Sequence, residues 1–310
     1  MKKKFFKILF LNILFFTVFT LVVEFCCAFI SFNNSKNLHG SFIEKIKKTI
    51  YLSKIHYFNP HNKDYETRVR PFIYNKNFDK ENIILMGCSF AYGDGLDEKE
   101  NFGAVLSEQT KRNIINIGIR CASSRETLYI LRNPEKREQM FHGINRAEYV
   151  IYTYFPPQKE RLYADICEFD KTPHFIAMNK HRQLQYIDVP KVFSQSFIVK
   201  YLSLFVYHKI LVPMKKDSKL MMLYLNEINN EVKVYFKNNE DNPSQFVILQ
   251  YEDDEDIDWE KLEKDGIKII NANSLTGKNL KMKEYRLEDW HPNAKAWEII
   301  VPKLVKELNL

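Results

Sequence analysis

Ser89 stands at the end of an apolar run, Ile83-Ile84-Leu85-Met86-Gly87-Cys88, and opens a glycine-punctuated stretch, Phe90-Ala91-Tyr92-Gly93-Asp94-Gly95-Leu96. A serine hydroxyl is a weak nucleophile at neutral pH. It needs a base within hydrogen-bond reach, and the base needs a partner that fixes its tautomer. Of the eight histidines, His291 suits that role best, because Glu288 and Asp289 lie just upstream in Leu287-Glu288-Asp289-Trp290-His291-Pro292-Asn293-Ala294. These residue types point to acyl transfer through a serine nucleophile. A plainer reading also stands: a glycine-rich strand-to-helix turn whose serine caps a helix, and a helix-start histidine flanked by carboxylates that serve the helix dipole.

Such residues need a scaffold that brings distant segments together. From Glu81 onward, apolar β-branched runs alternate with helical patterns, which predicts parallel βαβ units. The runs at about 82–87, 113–117, 149–155, 245–250 and 267–270 read as strands. Helices are expected from Asn101-Phe102 through Gln109, from about Arg125 to Leu131, and from about Asp256 to Lys264. Pro156-Pro157 closes the third run, and Pro302 is expected to interrupt the last helix. Residues 159–244 read as an insertion over one face of the sheet that contributes to a substrate lid. It holds a hairpin (174–178 with 184–187), an apolar stretch (192–212) and a helix (220–236). The acidic run Asp253-Asp254-Glu255-Asp256 is expected to be a solvated turn capping the Trp259 helix rather than a cation site.

The chain has 310 residues, 45% hydrophobic and 27% charged, enough for one large α/β domain with additions. Its formal charge of +7 is spread over many lysines, and no zinc-finger spacing, RNP-like motif or basic-aromatic block accompanies it, so nucleic acid is not an expected partner. The five cysteines (Cys26, Cys27, Cys88, Cys121, Cys167) show no metal-ligand spacing. Neither a metal nor another cofactor is expected. Cys88, beside Ser89, is expected to point away from it as a packed core residue.

Residues 1–4 form a basic head. Residues 5–32 are almost wholly apolar, long enough for a membrane span. The apolar core exceeds that of a cleavable signal peptide, and Glu24-Phe25-Cys26-Cys27-Ala28-Phe29 offers no small-x-small cleavage site. An uncleaved signal anchor is expected, with the N-terminus inside and the remaining chain outside the cytoplasmic membrane, in the periplasm if the cell is Gram-negative. Residues 33–79 read as a stalk plus the entry to the soluble domain, and 80–310 as the chemical domain.

Gly87-Cys88-Ser89-Phe90-Ala91-Tyr92-Gly93-Asp94-Gly95-Leu96 resembles the first block of the SGNH (GDSL-type) hydrolase family. Asn116-Ile117-Gly118-Ile119-Arg120-Cys121 is similar to the second block, and Glu288-Asp289-Trp290-His291-Pro292-Asn293 to the fifth, in the family's order across about 80–310. The resemblance implies a flavodoxin-like three-layer α/β/α sandwich with a mostly parallel sheet. It implies Ser89 as nucleophile, His291 as base and a nearby carboxylate as orienter. Glu288 has the family spacing and Asp289 the commoner residue; Asp289 is slightly favoured. The oxyanion hole would use the Ser89 amide, the amide of Cys121, which stands in place of a glycine, and the side chain of Gln158, since the third block has no asparagine. The function so implied is a membrane-anchored serine esterase, acyl hydrolase or acyltransferase acting on an acylated carbohydrate or envelope component. Two alternatives are a non-catalytic carbohydrate-binding or assembly module on the same fold, and a lipid esterase at the bilayer surface.

Overall fold

The computed structural model describes residues 12, 14–15, 17–23, 26, 46, 72–73, 81–120, 122–162, 174–178, 184–188, 216–238 and 242–310. The chain divides into two compact units. One comprises Met1–Asn62, Asp170–Pro173 and Asp188–Ile210; the other comprises Lys63–Phe169, His174–Ile187 and Leu211–Leu310. In the first unit the described residues between 12 and 46 are helical, and Leu14, Phe15, Val18, Phe19, Leu21 and Val22 are exposed. No helix among the described residues is long and apolar enough to cross a membrane. Residues 192–212 lie outside the described residues, as does most of the expected span at 5–32.

The second unit is built on a six-stranded sheet of order β1-β3-β2-β4-β7-β8. Its strands are β1 (Phe72–Ile73), β2 (Ile83–Gly87), β3 (Ile114–Asn116), β4 (Tyr149–Tyr154), β7 (Gln245–Gln250) and β8 (Lys268–Asn271). A separate two-stranded sheet pairs β5 (His174–Met178) with β6 (Leu184–Asp188). From β3 to β8 every neighbour is parallel, whereas β1 runs antiparallel to β3. Taken in chain order, the five parallel strands lie 2-1-3-4-5, the flavodoxin-like winding, in which the order reverses between β2 and β4.

Alternate residues of each strand enter different cores. Ile84, Met86, Val150, Tyr152 and Ile248 face one core, and Ile83, Leu85, Ile151, Val247 and Leu249 the other. Both faces are therefore apolar, which is why these strands read as unbroken hydrophobic runs. The first face is covered by α3 (Ser124–Arg132), α4 (Pro134–Phe141) and α5 (Lys216–Tyr235). The second is covered by α2 (Phe102–Thr110) and α8 (Ala294–Leu308). The short helices α1 (Ser89–Tyr92), α6 (Trp259–Lys264) and α7 (Ala272–Thr276) complete the second unit's described set. The result is a three-layer α/β/α sandwich.

At the entry to the chemical domain, Phe72 and Ile73 pair with Asn116 and Ile115 and cover the open edge of β3. Two expectations need correction. The helix of residues 216–235 is not part of an added lid: Met221, Tyr224, Leu225, Ile228 and Val232 are fully or almost fully buried under the sheet, as the crossover between β4 and β7 requires. The last helix continues through Pro302. Pro302 is exposed, and the helix is held by burial of Trp297, Ile300, Val301, Leu304 and Leu308, with Trp297 stacked on Phe102 at 4.6 Å between ring centroids. Each buried apolar side chain contributes about 1.5–3 kcal/mol, so the stripe outweighs the ~3 kcal/mol that an interior proline costs.

Candidate active site

In doubly wound sheets, ligands bind beyond the carboxyl ends of the strands where the strand order reverses. Here that place lies between β2 and β4, and β2 runs directly into Ser89. Gly87 closes the strand at φ 126°, and a Cβ on it would fall 2.5 Å from the Thr153 hydroxyl and 2.8 Å from the Thr153 carbonyl oxygen. Only glycine lets β2 and β4 approach so closely while the chain turns. Cys88 then points into the core, fully buried, and Ser89 begins the four-residue helix α1. The first turn of a helix leaves its amides without intrahelical acceptors, so the Ser89 N–H is available to an incoming oxyanion.

The second motif holds α1 in place. Asn116 donates from Nδ2 to the Ala91 carbonyl at 2.6 Å and accepts at Oδ1 from the Gly118 amide at 2.8 Å. The amides of Ile117 and Ile119 donate to the carbonyls of Leu85 and Gly87, at 2.9 and 3.0 Å. Gly118 lies so close to α1 that a Cβ would stand 2.3 Å from the Tyr92 nitrogen. Arg120 lies over the Tyr92 ring, 4.6 Å from its centroid, and pairs with Asp94 at 2.7 Å. Cys121 lies outside the described residues.

His291 arrives from the tight loop before α8. The Leu287 amide donates to the His291 carbonyl at 2.8 Å, and the Trp290 amide to the Leu287 carbonyl at 3.1 Å. Arg286 and Pro292 form an antiparallel bridge. Asn293 caps α8 by accepting from the Ala296 amide at 3.1 Å and donates to the Glu284 carbonyl at 3.0 Å, tying both ends of the loop down. His291 Nε2 lies 2.8 Å from Ser89 Oγ, across 202 residues of chain. On the other side of the ring, Nδ1 is 2.9 Å from Asp289 Oδ2, while the backbone amide of His291 donates to Asp289 Oδ1 at 3.2 Å. The Nδ1 contact is short but poorly aligned for a ring N–H donor, since Nδ1 makes no well-directed hydrogen bond. Glu288 is exposed and has no bond to the imidazole among the described residues.

The structure thus brings Ser89, His291 and Asp289 together and leaves Glu288 aside. With a proton on Nδ1 held toward Asp289, Nε2 is an acceptor for the serine hydroxyl, the arrangement needed for proton removal during attack on a carbonyl. Gln158 is fully buried and committed elsewhere. Its Nε2 donates to the Thr153 carbonyl at 3.1 Å, and its Oε1 accepts from the Tyr152 hydroxyl at 3.1 Å. Tyr152 is also within 2.9 Å of Ser124 Oγ, and burial raises its pKa far above the ordinary phenol value. Among the described residues no group of three or more histidine, cysteine or carboxylate side chains could hold a metal ion.

The acidic run is not a solvated turn throughout. Asp254 is 7% exposed, accepts from Lys159 Nζ at 2.8 Å and from the Tyr154 hydroxyl at 2.6 Å, and its carbonyl accepts from the Trp259 indole at 2.9 Å. Asp254 and Lys159 form a buried ion pair that joins the loop after β4 to the loop after β7, while Asp253, Glu255 and Asp256 are exposed. Asp258, two residues beyond the run, caps α6.

Arg286 escapes notice in the sequence. It is 6% exposed, and its guanidinium donates to the Leu280 carbonyl (2.7 Å), the Trp290 carbonyl (2.6 Å) and Glu252 Oε1 (2.6 Å). It also lies over Tyr251 at 4.6 Å and Phe90 at 5.5 Å, and the Phe90 ring meets His291 at 5.6 Å. The planar fork that can do all this belongs to arginine alone. Its grip on the Trp290 carbonyl accompanies a left-handed backbone at Trp290, φ 71°, which costs a residue with a Cβ about 1–2 kcal/mol.

No protein-family model and no curated protein sequence matches the chain. Solved structures similar to it include a member of the lipolytic protein G-D-S-L family from Veillonella parvula, at 11% identity, with 73% of this chain and 96% of that one covered and a TM-score of 0.42. An acetyl xylan esterase from the rumen bacterium Butyrivibrio proteoclasticus aligns at 9% identity over 74% of this chain and 63% of that one, TM-score 0.42. A catalytic mutant of an acetylxylan esterase from Geobacillus stearothermophilus aligns at 11% identity over 74% and 94%, TM-score 0.40. These superpositions are loose, and the class of the fold rests on the strand order.

Proposed function

We propose that the chain is a serine ester hydrolase of the SGNH type, with Ser89 as nucleophile, His291 as general base and Asp289 as its orienting carboxylate. The observation that carries this reading is the 2.8 Å contact between Ser89 Oγ and His291 Nε2 at the strand-order reversal, with Asp289 behind the imidazole. In the first step Ser89 Oγ attacks the ester carbonyl carbon while Nε2 takes the hydroxyl proton. The oxyanion so formed is met by the Ser89 amide. Collapse breaks the bond to the alcohol oxygen, which leaves with the proton held on Nε2. Water, deprotonated by the same nitrogen, then attacks the acyl carbon, the bond to Ser89 Oγ breaks, and Nε2 returns its proton to Oγ as the acid leaves; a second alcohol in place of water would give acyl transfer.

The proposed substrate is an acyl ester on a carbohydrate or envelope component, reached from outside the cytoplasmic membrane. The anchor is supported by the basic head, by the length of the apolar segment, and by the helical, exposed Leu14, Phe15, Val18, Phe19, Leu21 and Val22. Carbonate-resistant membrane association of the full chain, lost when residues 1–32 are removed, is the expected result.

The reaction itself is tested with short acyl 4-nitrophenyl esters. Wild type should show acyl-enzyme turnover, and Ser89→Ala should reduce kcat by at least about 10³-fold while the fold persists. Equal turnover by Ser89→Ala would remove the serine from the mechanism.

A further inference from the structure

Trp290 sits between Asp289 and His291 and is 68% exposed. It is the only exposed large hydrophobic residue among the described residues that adjoins the Ser89–His291 pair in the chain. Its backbone is held in the left-handed region, and a buried guanidinium fixes its carbonyl at 2.6 Å. A rigid backbone thus holds out a wet indole one residue from the base, where a small polar residue would meet the turn's conformational demand better.

We infer that Trp290 is the platform for the alcohol half of the ester, and that this half is a sugar ring. The inference rests on the serine esterase reading above and names the substrate class for the same site. The two halves of an ester ask for different surfaces. An acyl chain is recognised by an enclosed apolar cavity. An indole two-thirds exposed, flanked by the exposed carboxylates of Glu288 and Asp289, would leave an acyl chain in water. A pyranose ring fits instead. Its axial C–H groups carry partial positive charge and meet the negative face of the indole, while its hydroxyls remain solvated or donate to nearby carboxylates. Seated there, the ring places an ester oxygen beside His291, which must protonate the departing alcohol.

The test holds the acyl group constant and changes the alcohol. Full-length protein is assayed by proton release on ethyl acetate and on O-acetylated methyl pyranosides of gluco, galacto and xylo configuration. Wild type should favour at least one pyranoside over ethyl acetate by tenfold or more in kcat/KM. Trp290→Ala should remove most of that preference, mainly through KM, and Trp290→Phe should restore much of it. In Ser89→Ala, where turnover is blocked, the favoured pyranoside should change the tryptophan fluorescence, and Trp290→Phe in that background should abolish the change. An equal loss on both substrate types in Trp290→Ala, or a preference for longer acyl chains that depends on Trp290, would overturn the inference. Failure of wild type on every ester would refute the esterase reading instead. Titrating each of the three pyranosides into Ser89→Ala then decides Trp290 by itself: a fluorescence change that needs Trp290 sustains the sugar platform, and no change with any of them sinks it.

Discussion

Gly118→Ala puts a single methyl group where the backbone has no room. The new Cβ would lie 2.3 Å from the Tyr92 nitrogen, 2.6 Å from the Ala91 carbonyl carbon and 2.7 Å from Ala91 Cβ. Ordinary contact begins at 3.4 Å, so about 1.1 Å must be recovered (3.4 less 2.3). None of the clashing atoms can rotate away. The loop carrying Gly118 is fastened to β2 on both sides, through the amides of Ile117 and Ile119. The part free to yield is α1, and Ser89 is its first residue. Its hydroxyl moves relative to His291, whose loop is tied independently to Glu284 and Arg286. A shift of 1 Å at reacting atoms costs about 10²-fold in rate, and overpacking costs about 1–3 kcal/mol of stability. The expected outcome is therefore a folded protein with a modestly lower Tm and kcat down by about a hundredfold on 4-nitrophenyl acetate. Gly277→Ala serves as control, because Gly277 has positive φ but nothing within 4 Å of a new Cβ. It should lose about 1 kcal/mol and keep its activity. Wild-type kcat and Tm in Gly118→Ala would refute the positioning argument.

Asp289→Asn should lower kcat by about 10²- to 10³-fold, less than the ~10⁴ typical of a buried triad carboxylate, because its side chain is 58% exposed and solvent screens it. Glu288→Gln should stay within about twofold on ethyl acetate; the reverse ranking would reassign the orienter. Arg286→Ala strips Glu252 and the Trp290 carbonyl of a buried donor and should cost about 3–5 kcal/mol in urea unfolding. Arg286→Lys should recover little, since an ammonium cannot reach three acceptors in one plane. Burial raises the pKa of Tyr152 above its unfolded value, so its contribution is complete below about pH 10 and is lost as pH rises beyond it, where only the unfolded chain ionises. Tyr152→Phe should accordingly flatten the alkaline limb of a stability–pH curve by up to about 1.4 kcal/mol per pH unit.

The sheet was legible because strands buried on both faces leave unbroken apolar runs such as Ile83 to Met86 and Val150 to Tyr152. Ser89 and His291 stood out for a related reason: each lies where an apolar pattern gives way to turn residues. What sequence reasoning missed depends on pairing at long range. Phe72-Ile73 is too short to announce a strand and gains its partner only from the exposed edge of β3. Pro302 marks a break by local preference, which the buried face of α8 overrides. Asp254 looks like any member of an acidic run until Lys159 and Tyr154 arrive from 95 and 100 residues away. Gln158 offered an amide in the right region, but Thr153 and Tyr152 occupy it. Arg286 gave no local signal, since nothing in Tyr285-Arg286-Leu287 says that the guanidinium is buried.

The loop from Tyr285 to Asn293 is closed by a handful of bonds: Asn293 to Tyr285, Leu287 to His291, and the Arg286 fork. Such a segment is expected to open as one unit, its amides exchanging together at a free energy below that of global unfolding. Opening would carry His291, Asp289 and the exposed Trp290 away from Ser89 together. Under the proposed mechanism, the time the loop spends closed would set an upper limit on turnover.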